Sequence, residues 1–517
     1  MKRLWMPAFT LAFVLLGIAF FRKMSEQADE PAGPILVQIF LAIVGSVTIL
    51  TWFLFLAGMS LRTRLVGLGV LAVLGVGVLG SIRKVDLSGD LIPTLEFRWS
   101  PDSQAMVAKR SASGSATPLA LPSLTSIDES SQNPSFRGLH RDGVLPPQSI
   151  REDWNDREPA CLWRQAAGGG YSGFAVVGPL LFTLEQRGPD ESLVAYEAPT
   201  GKEIWQYRYK ASFEDVMTGD GPRATPTVHG GRVYSVGATS QLVCVDASTG
   251  RLIWHVDILA ENRMGIVDCG MAGSPLLIDD LLVVHAGVQN GSESSTALIA
   301  YDTQTGQRRW GSGRVAIGYT SPTLFELDGV PQIVIFDKGG LAGHDPATGA
   351  ELWRYTLSTP EGILAAQPML LSGNRIFFSA HETCQVVEVH RADGVWTAEN
   401  VWQTNTLKCS FASPILFEEG VYGLDKGILA CIDPQTGERR WKKARLGHGQ
   451  LLRLGDRLLV QSEQGEIVLV QADPKKMIEL GRFQALKGKT WNMPALVDGI
   501  LYVRNHHEMA AYDLRSR

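Results

Sequence analysis

The sequence predicts an all-β ring, an eight-bladed β-propeller of four-stranded antiparallel blades, preceded by three transmembrane helices. Three observations carry the expectation. A turn-and-tryptophan motif recurs with a period near 45 residues from Cys161 to the end of the chain, alternating apolar strands lie between its copies, and three uncharged apolar runs are confined to the first 82 residues.

The apolar runs come first. Stretches 4–21, 35–59 and 65–82 contain no Asp, Glu, Lys or Arg, and lengths of 18, 25 and 18 match the ~20 residues a helix needs to cross hydrocarbon. The first is read as an uncleaved span, because Arg22, Lys23 and Met24 follow it in place of a small-residue cleavage pattern. Gly67, Gly69, Gly75, Gly77 and Gly80 suggest that the third packs closely on its neighbours. Residues 1–84 are thus a membrane domain. With the N-terminus inside, Lys2, Arg3, Arg62 and Arg64 oppose Arg22, Lys23, Arg83 and Lys84, so flanking charge leaves the orientation open. Residues 85–159 read as a Ser/Pro-rich linker (Ser111, Ser113, Ser115, Pro118, Pro122, Ser130, Ser131, Pro134). Across the whole chain 48 Lys+Arg against 53 Asp+Glu give a net charge of −5, which excludes the global basic field of a nucleic-acid binder.

The repeat occupies 160–517. Its clearest copies end in Gly201…Trp205, Gly250…Trp254, Gly306…Trp310, Gly349…Trp353 and Gly437…Trp441. Successive glycines are 49, 56, 43 and 88 residues apart, and the last interval holds a worn copy at 386–394 whose tryptophan is Trp402. Degenerate copies at 467–471 and 509–513 bring the count to eight. Within one copy, 225–228 and 232–237 read as two strands around a turn, 242–246 as the third and 251–254 as the fourth. The acid closing the third strand caps the turn, and the glycine four residues on supplies a positive φ. Two residues before the acid stands a small side chain (Ala195, Cys244, Ala300, Gly343, Cys431, Ala511), expected to leave room for a bulky residue of the adjoining sheet. The tryptophans are assigned to packing between neighbouring blades. The last copy lacks a fourth strand, and Cys161-Leu-Trp163 resembles only a fourth strand, so the N-terminal strand should close the ring and Trp163 should be structural. Cys244 and Cys431 then fall on opposite sides of the ring, which rules out a disulfide between them and leaves Cys384 with Cys409 as the pair to test.

The Ala-x-Asp-x-x-Thr-Gly-x-x-x-Trp pattern, with first strands opening on Thr225-Pro226, Ser274-Pro275, Ser321-Pro322 and Ser413-Pro414, resembles the pyrroloquinoline quinone repeat. That resemblance implies a quinone-binding-like propeller, a group including the propeller lipoprotein of the outer-membrane barrel assembly machinery and the quinoprotein dehydrogenases. The segment Phe136-Arg-Gly-Leu-His-Arg-Asp-Gly-Val144 is similar to the lead-in of a membrane-anchored branch of these propellers. Relatives of this kind are extracytoplasmic, which implies that the ring lies on the periplasmic side of the cytoplasmic membrane.

Two functions follow from the resemblance. One is a membrane-tethered scaffold that binds another envelope protein or a small ligand, without a cofactor. The other is a quinone- and calcium-dependent sugar or alcohol dehydrogenase of the membrane glucose dehydrogenase type. The sequence favours the scaffold, because it has no adjacent cysteines, no Cys-x-x-Cys-His motif and no long insertions beyond the bare ring. No catalytic or metal-binding residue is assigned. Any ligand or partner should meet the mouth bearing the loops that lead from a fourth strand into the next first strand, where Tyr171, Arg223, Asp268, Tyr319, Lys408, His448 and Trp491 stand. Other chemistry-bearing residues have plainer readings. His506-His507-Glu508 is a turn, His344 and His390 lie at or beside the turn acid, and Gly168-Gly-Gly170 is a blade connection.

Overall fold

The computed structural model describes residues 5–27, 32–56, 58–113, 132–286, 296–357, 364–380 and 382–515; Ser115, Pro118, Pro122, Ser130 and Ser131 lie outside them. The chain divides into a unit of apolar helices ending at Pro101 and a propeller unit beginning at Asp102.

Three helices, Trp5–Gln27, Ala32–Thr51 and Leu61–Ser81, are long and apolar enough to cross a membrane, and a π-helical turn, Trp52–Leu56, extends the second. Glycine lets them approach where the partner is large: a Cβ on Gly45 would lie 2.5 Å from Val14, and one on Gly67 2.5 Å from Phe53. Of the five glycines in the third helix only Gly67 meets a neighbour in this way, so the other four do not explain its packing.

The propeller has eight sheets. Blades 1 to 7 span 175–210, 227–257, 276–312, 323–356, 369–404, 415–445 and 450–484, each a four-strand meander. Blade 8 takes three strands from 495–513 and its fourth, Ala160–Ala166, from the other end of the repeat region, with Ala511 opposite Trp163. The expected closure by the N-terminal strand is present.

The motif turns neighbouring sheets into a ring by one repeated contact. Asp246 Oδ1 accepts from the backbone N–H of Ser248 and Thr249 and from the Thr249 hydroxyl, and Gly250 completes the turn at φ +70°. Trp205, on the fourth strand of the preceding blade, lies over this turn: its indole donates to the Ala247 carbonyl at 2.9 Å, and a Cβ on Gly250 would stand 2.6 Å from its ring. The same donation joins Trp163 to Ala198, Trp254 to Thr303, Trp310 to Pro346, Trp402 to Pro434 and Trp441 to Asp473. Gly201, Gly306, Gly349 and Gly437 likewise accommodate an indole from the blade before. Trp353 is the exception. Blade 5 has no Thr-Gly turn to receive it, and it donates instead to Gln332 of its own blade.

The small residue two before the acid packs in the apolar layer shared with the next blade, as expected: Ala195 clusters with Val228 and Val243 of blade 2, and Cys244 with Leu282 and Tyr301 of blade 3. Ala195, Cys244, Ala300, Gly343, Cys431 and Ala511 each pair across strands with the tryptophan of the same blade, beside a bulge. Blade 7 inverts the arrangement, pairing Leu469 with Gly481. The fully buried Trp154, from the segment before the ring, packs against Gly481 and meets Phe483 edge-on at 5.4 Å. Cys384, Cys409, Cys244 and Cys431 are buried and all six cysteines are free. His390 is exposed inside a strand ladder opposite Thr397, because the third strand of blade 5 runs on to a tight Asp393-Gly394 turn.

Composition misleads within 85–159. Strands Ile82–Leu87 and Pro93–Phe97 form a hairpin in the helical unit. In the propeller unit the helix Ser103–Ser113 sends Arg110 to the Ala166 carbonyl and the Tyr196 hydroxyl. The segment from Gln132 to Gln148 threads the first strands that line the channel. Gln132 and Gln148 accept from Gly178 and Gly499 in the first turns of blades 1 and 8. Between them, Pro134 accepts from Val228 of blade 2, and Val144–Leu145 runs parallel to the first strand of blade 7. The seventeen residues 132–148, most of them polar or turn-forming, thus become an internal plug.

Candidate functional site: the loop mouth of the ring

Each of the seven mouth residues stands in a loop from a fourth strand to the next first strand. Four of them form one cluster. Tyr171 and Trp491 are 5.2 Å apart by ring centroids; Phe411 lies 4.7 Å from Trp491 and 5.2 Å from His448, and the Arg223 guanidinium lies 5.9 Å from the Tyr171 ring. The loops entering blades 1, 2, 6, 7 and 8 therefore converge, although they span 171–491 in sequence.

Local chemistry fixes these positions. Gly170 has φ +121° and passes so close to Pro222 that a Cβ would lie 2.7 Å from its carbonyl oxygen, and the Tyr171 N–H donates to that same oxygen. Asn492, buried next to Trp491, donates to the carbonyls of Gly170 and Ser172, which ties two loops together. Glu463, 3% exposed, accepts from the Trp491 indole at 3.0 Å and from the His448 backbone at 3.2 Å. Two cations cover the rings: Lys489 Nζ is 4.3 Å from the Trp491 centroid and Arg223 is 4.7 Å from that of Phe213. Burial holds the Arg223 pKa below its ordinary value. Cations on aromatic faces can engage an acidic or aromatic group.

The other three predicted residues make other contacts. Tyr319 accepts from the Cys269 backbone beside Asp268, and burial pushes its phenol up. The backbone of Lys408 donates to Asp425, a buried carboxylate that also meets Arg439 and Lys442. Sequence reading missed Phe411, Lys489, Phe213 and Glu463. Phe411 and Lys489 lie within three residues of Lys408 and Trp491, so loop position alone was a usable signal; Glu463 lies in a loop between second and third strands and gave none.

His506 Nδ1 accepts from the Gly170 N–H, and Glu508 accepts from Lys487 and Arg164, so this triplet serves the closing blade. Among the described residues no three His, Cys, Asp or Glu converge to hold a metal ion.

Residues 189–443 match the family profile described as outer membrane protein assembly factor BamB. The protein of that name from Shewanella oneidensis is 21% identical over 333 residues, 60% of this chain and 76% of that one. Quinohemoprotein alcohol dehydrogenase ADH-IIG of Pseudomonas putida is 31% identical over 148 residues, 26% of this chain and 19% of the enzyme. The crystal structure of quinohemoprotein alcohol dehydrogenase from Comamonas testosteroni superposes with a TM-score of 0.55 at 13% identity, covering 79% of this chain and 85% of that one, which establishes a shared fold.

Proposed function

We propose that this chain, whose repeats belong to the pyrroloquinoline quinone propellers typified by the BamB assembly factors and the quinoprotein alcohol dehydrogenases, is a membrane-tethered scaffold that captures another envelope protein or a small ligand at its loop mouth. The observation that carries the reading is the convergence of Tyr171, Phe411, His448 and Trp491 under Arg223 and Lys489. Trp, Tyr and Arg are the side chains that most often dominate interfaces. In this reading the N-terminus is inside and the ring lies on the periplasmic side of the cytoplasmic membrane; three helices long and apolar enough to cross a membrane support the tether. A reporter fused after Lys84 tests this, and activity of a cytoplasmic reporter there overturns it.

The scaffold needs no cofactor. The deciding experiment adds quinone and calcium to the purified protein and follows absorbance and dye reduction with sugars or alcohols. Stoichiometric retention with turnover replaces the scaffold by the dehydrogenase.

A further inference from the structure

A second concavity lies inside the channel, beside the plug rather than at the loop mouth. It has a volume of about 300 Å³ and is walled on one side by Arg137, His140 and Arg141 of the plug and on the other by Phe325, Met369 and Leu370 from the first strands of blades 4 and 5. Leu324, on its rim, is 40% exposed, so water and small solutes have access.

The arginines are its unusual feature. Arg137 and Arg141 are 2% and 6% exposed and both stand at positive φ, +62° and +60°. Among the described residues each guanidinium hydrogen-bonds to backbone carbonyls alone, and that of Arg141 also faces the Phe136 ring at 6.0 Å. Arg141 donates to Ser274 and Pro275 of blade 3, and Arg137 to Asp142 and to Pro414 of blade 6. Those bonds leave Nε of Arg141 and both Nε and Nη1 of Arg137 buried without a hydrogen-bond partner. Asp142, an exposed cavity residue whose carboxylate caps the Val144 N–H, offsets part of the Arg137 charge. Among the described residues no carboxylate offsets Arg141, whose guanidinium lies beside the Phe136 ring and whose pKa burial lowers to about 9. A buried cation without a counter-charge is costly, and an anion beside it relieves that cost while taking up the idle N–H groups.

We propose that this cavity binds a small organic monocarboxylate, its carboxylate on Arg141 and Arg137 and its apolar body against Phe325, Met369 and Leu370. Two guanidinium charges less one carboxylate leave a single positive charge to balance, which fits a monoanion. The apolar wall favours a carbon skeleton over a fully solvated inorganic anion.

Benzoate is the probe, titrated calorimetrically into the full chain in detergent micelles, with benzamide and inorganic phosphate as the isosteric neutral and the inorganic comparison. Benzoate should saturate and bind about tenfold or more tighter than benzamide. Arg141→Gln should remove that preference. Leu324→Trp, at an exposed rim position that leaves the core untouched, should cut benzoate binding by filling the cavity. Arg223→Ala with Trp491→Ala should leave benzoate binding intact, which separates this site from the loop mouth. The proposal is overturned by absence of benzoate saturation below about 10 mM, by equal binding of benzamide, by preference for phosphate, or by indifference to both cavity variants.

Discussion

The tryptophan that locks the ring makes the sharpest test of the fold. Trp163 sits on the only fourth strand not supplied by its own blade's hairpin, donates to Ala198 of blade 1 at 2.9 Å and covers Gly201 so closely that a Cβ there would lie 2.8 Å from the indole. Truncating a fully buried aromatic to alanine costs about 3–5 kcal/mol. Trp163 is only partly buried, so the packing loss should fall near the lower end, while the orphaned Ala198 carbonyl adds ~1 kcal/mol. For a ring of this length each kcal/mol moves the melting midpoint by roughly 1–2 °C, so Trp163→Ala should lower it by about 3–8 °C. Trp163→Phe keeps most of the packing and loses the donation, and should fall by only about 1–2 °C. The assay is thermal unfolding of the full chain in detergent, with protease susceptibility of the 160–170 segment read alongside. If the alanine variant melts with the wild type, or if phenylalanine is as damaging as alanine, the indole is not the clasp described.

Other consequences are as direct. Gly250→Ala, forced to hold φ +70° beneath Trp205, should destabilise by about 1 kcal/mol or more, visible as a lower midpoint, whereas the exposed Gly230→Ala turn, with φ +56° and open space around it, should show only the backbone part of that loss. Arg223→Ala with Trp491→Ala should abolish partner capture in a crosslinking assay with at most a few degrees of lost stability, since neither is in the repeated core; capture lost instead on charge reversal near Thr249 and Thr436 would move the site to the opposite mouth. Burial raises the Glu191 carboxyl to about 7, against hydrogen bonds from Tyr209 and Ala238 and the charge of Arg223. Because its folded pKa exceeds the unfolded one, its favourable contribution is present at acid pH and is lost as pH rises from the ordinary carboxyl range through 7. Glu191→Gln should therefore flatten the stability profile across that interval, as chemical denaturation at pH 5 and pH 8 can measure.

The ring was legible because its signal is written locally and then repeated. An acid, a glycine and a tryptophan at fixed offsets each report a turn or a contact within a few residues, and repetition of the set exposes copies as worn as 386–394. Contacts that occur once were not legible. Trp154 fills the place left by Gly481, and nothing in its own neighbourhood names a partner more than 300 residues away. The plug was hidden for the same reason: Arg137 and Arg141 look like solvated linker charges until Pro414, Ser274 and Pro275 are brought to them. At the loop mouth the topology indicated which loops face the opening, but which side chains touch there depends on clamps such as Asn492, whose reach no periodicity encodes.

Closure through strand Ala160–Ala166 also sets an order of events in time. Its partner strand, Glu508–Asp513, is made after blades 1 to 7, so the seam must wait until more than 300 further residues have emerged. Pairing across so large a sequence separation is slow to form. Until then two sheet edges stay unpaired, one on blade 8 and one on the waiting strand, and both invite pairing with other chains. A chain interrupted anywhere before residue 508 would never supply the partner of Ala160–Ala166 and would keep that strand's edge open for good, a lasting mark of an unfinished ring.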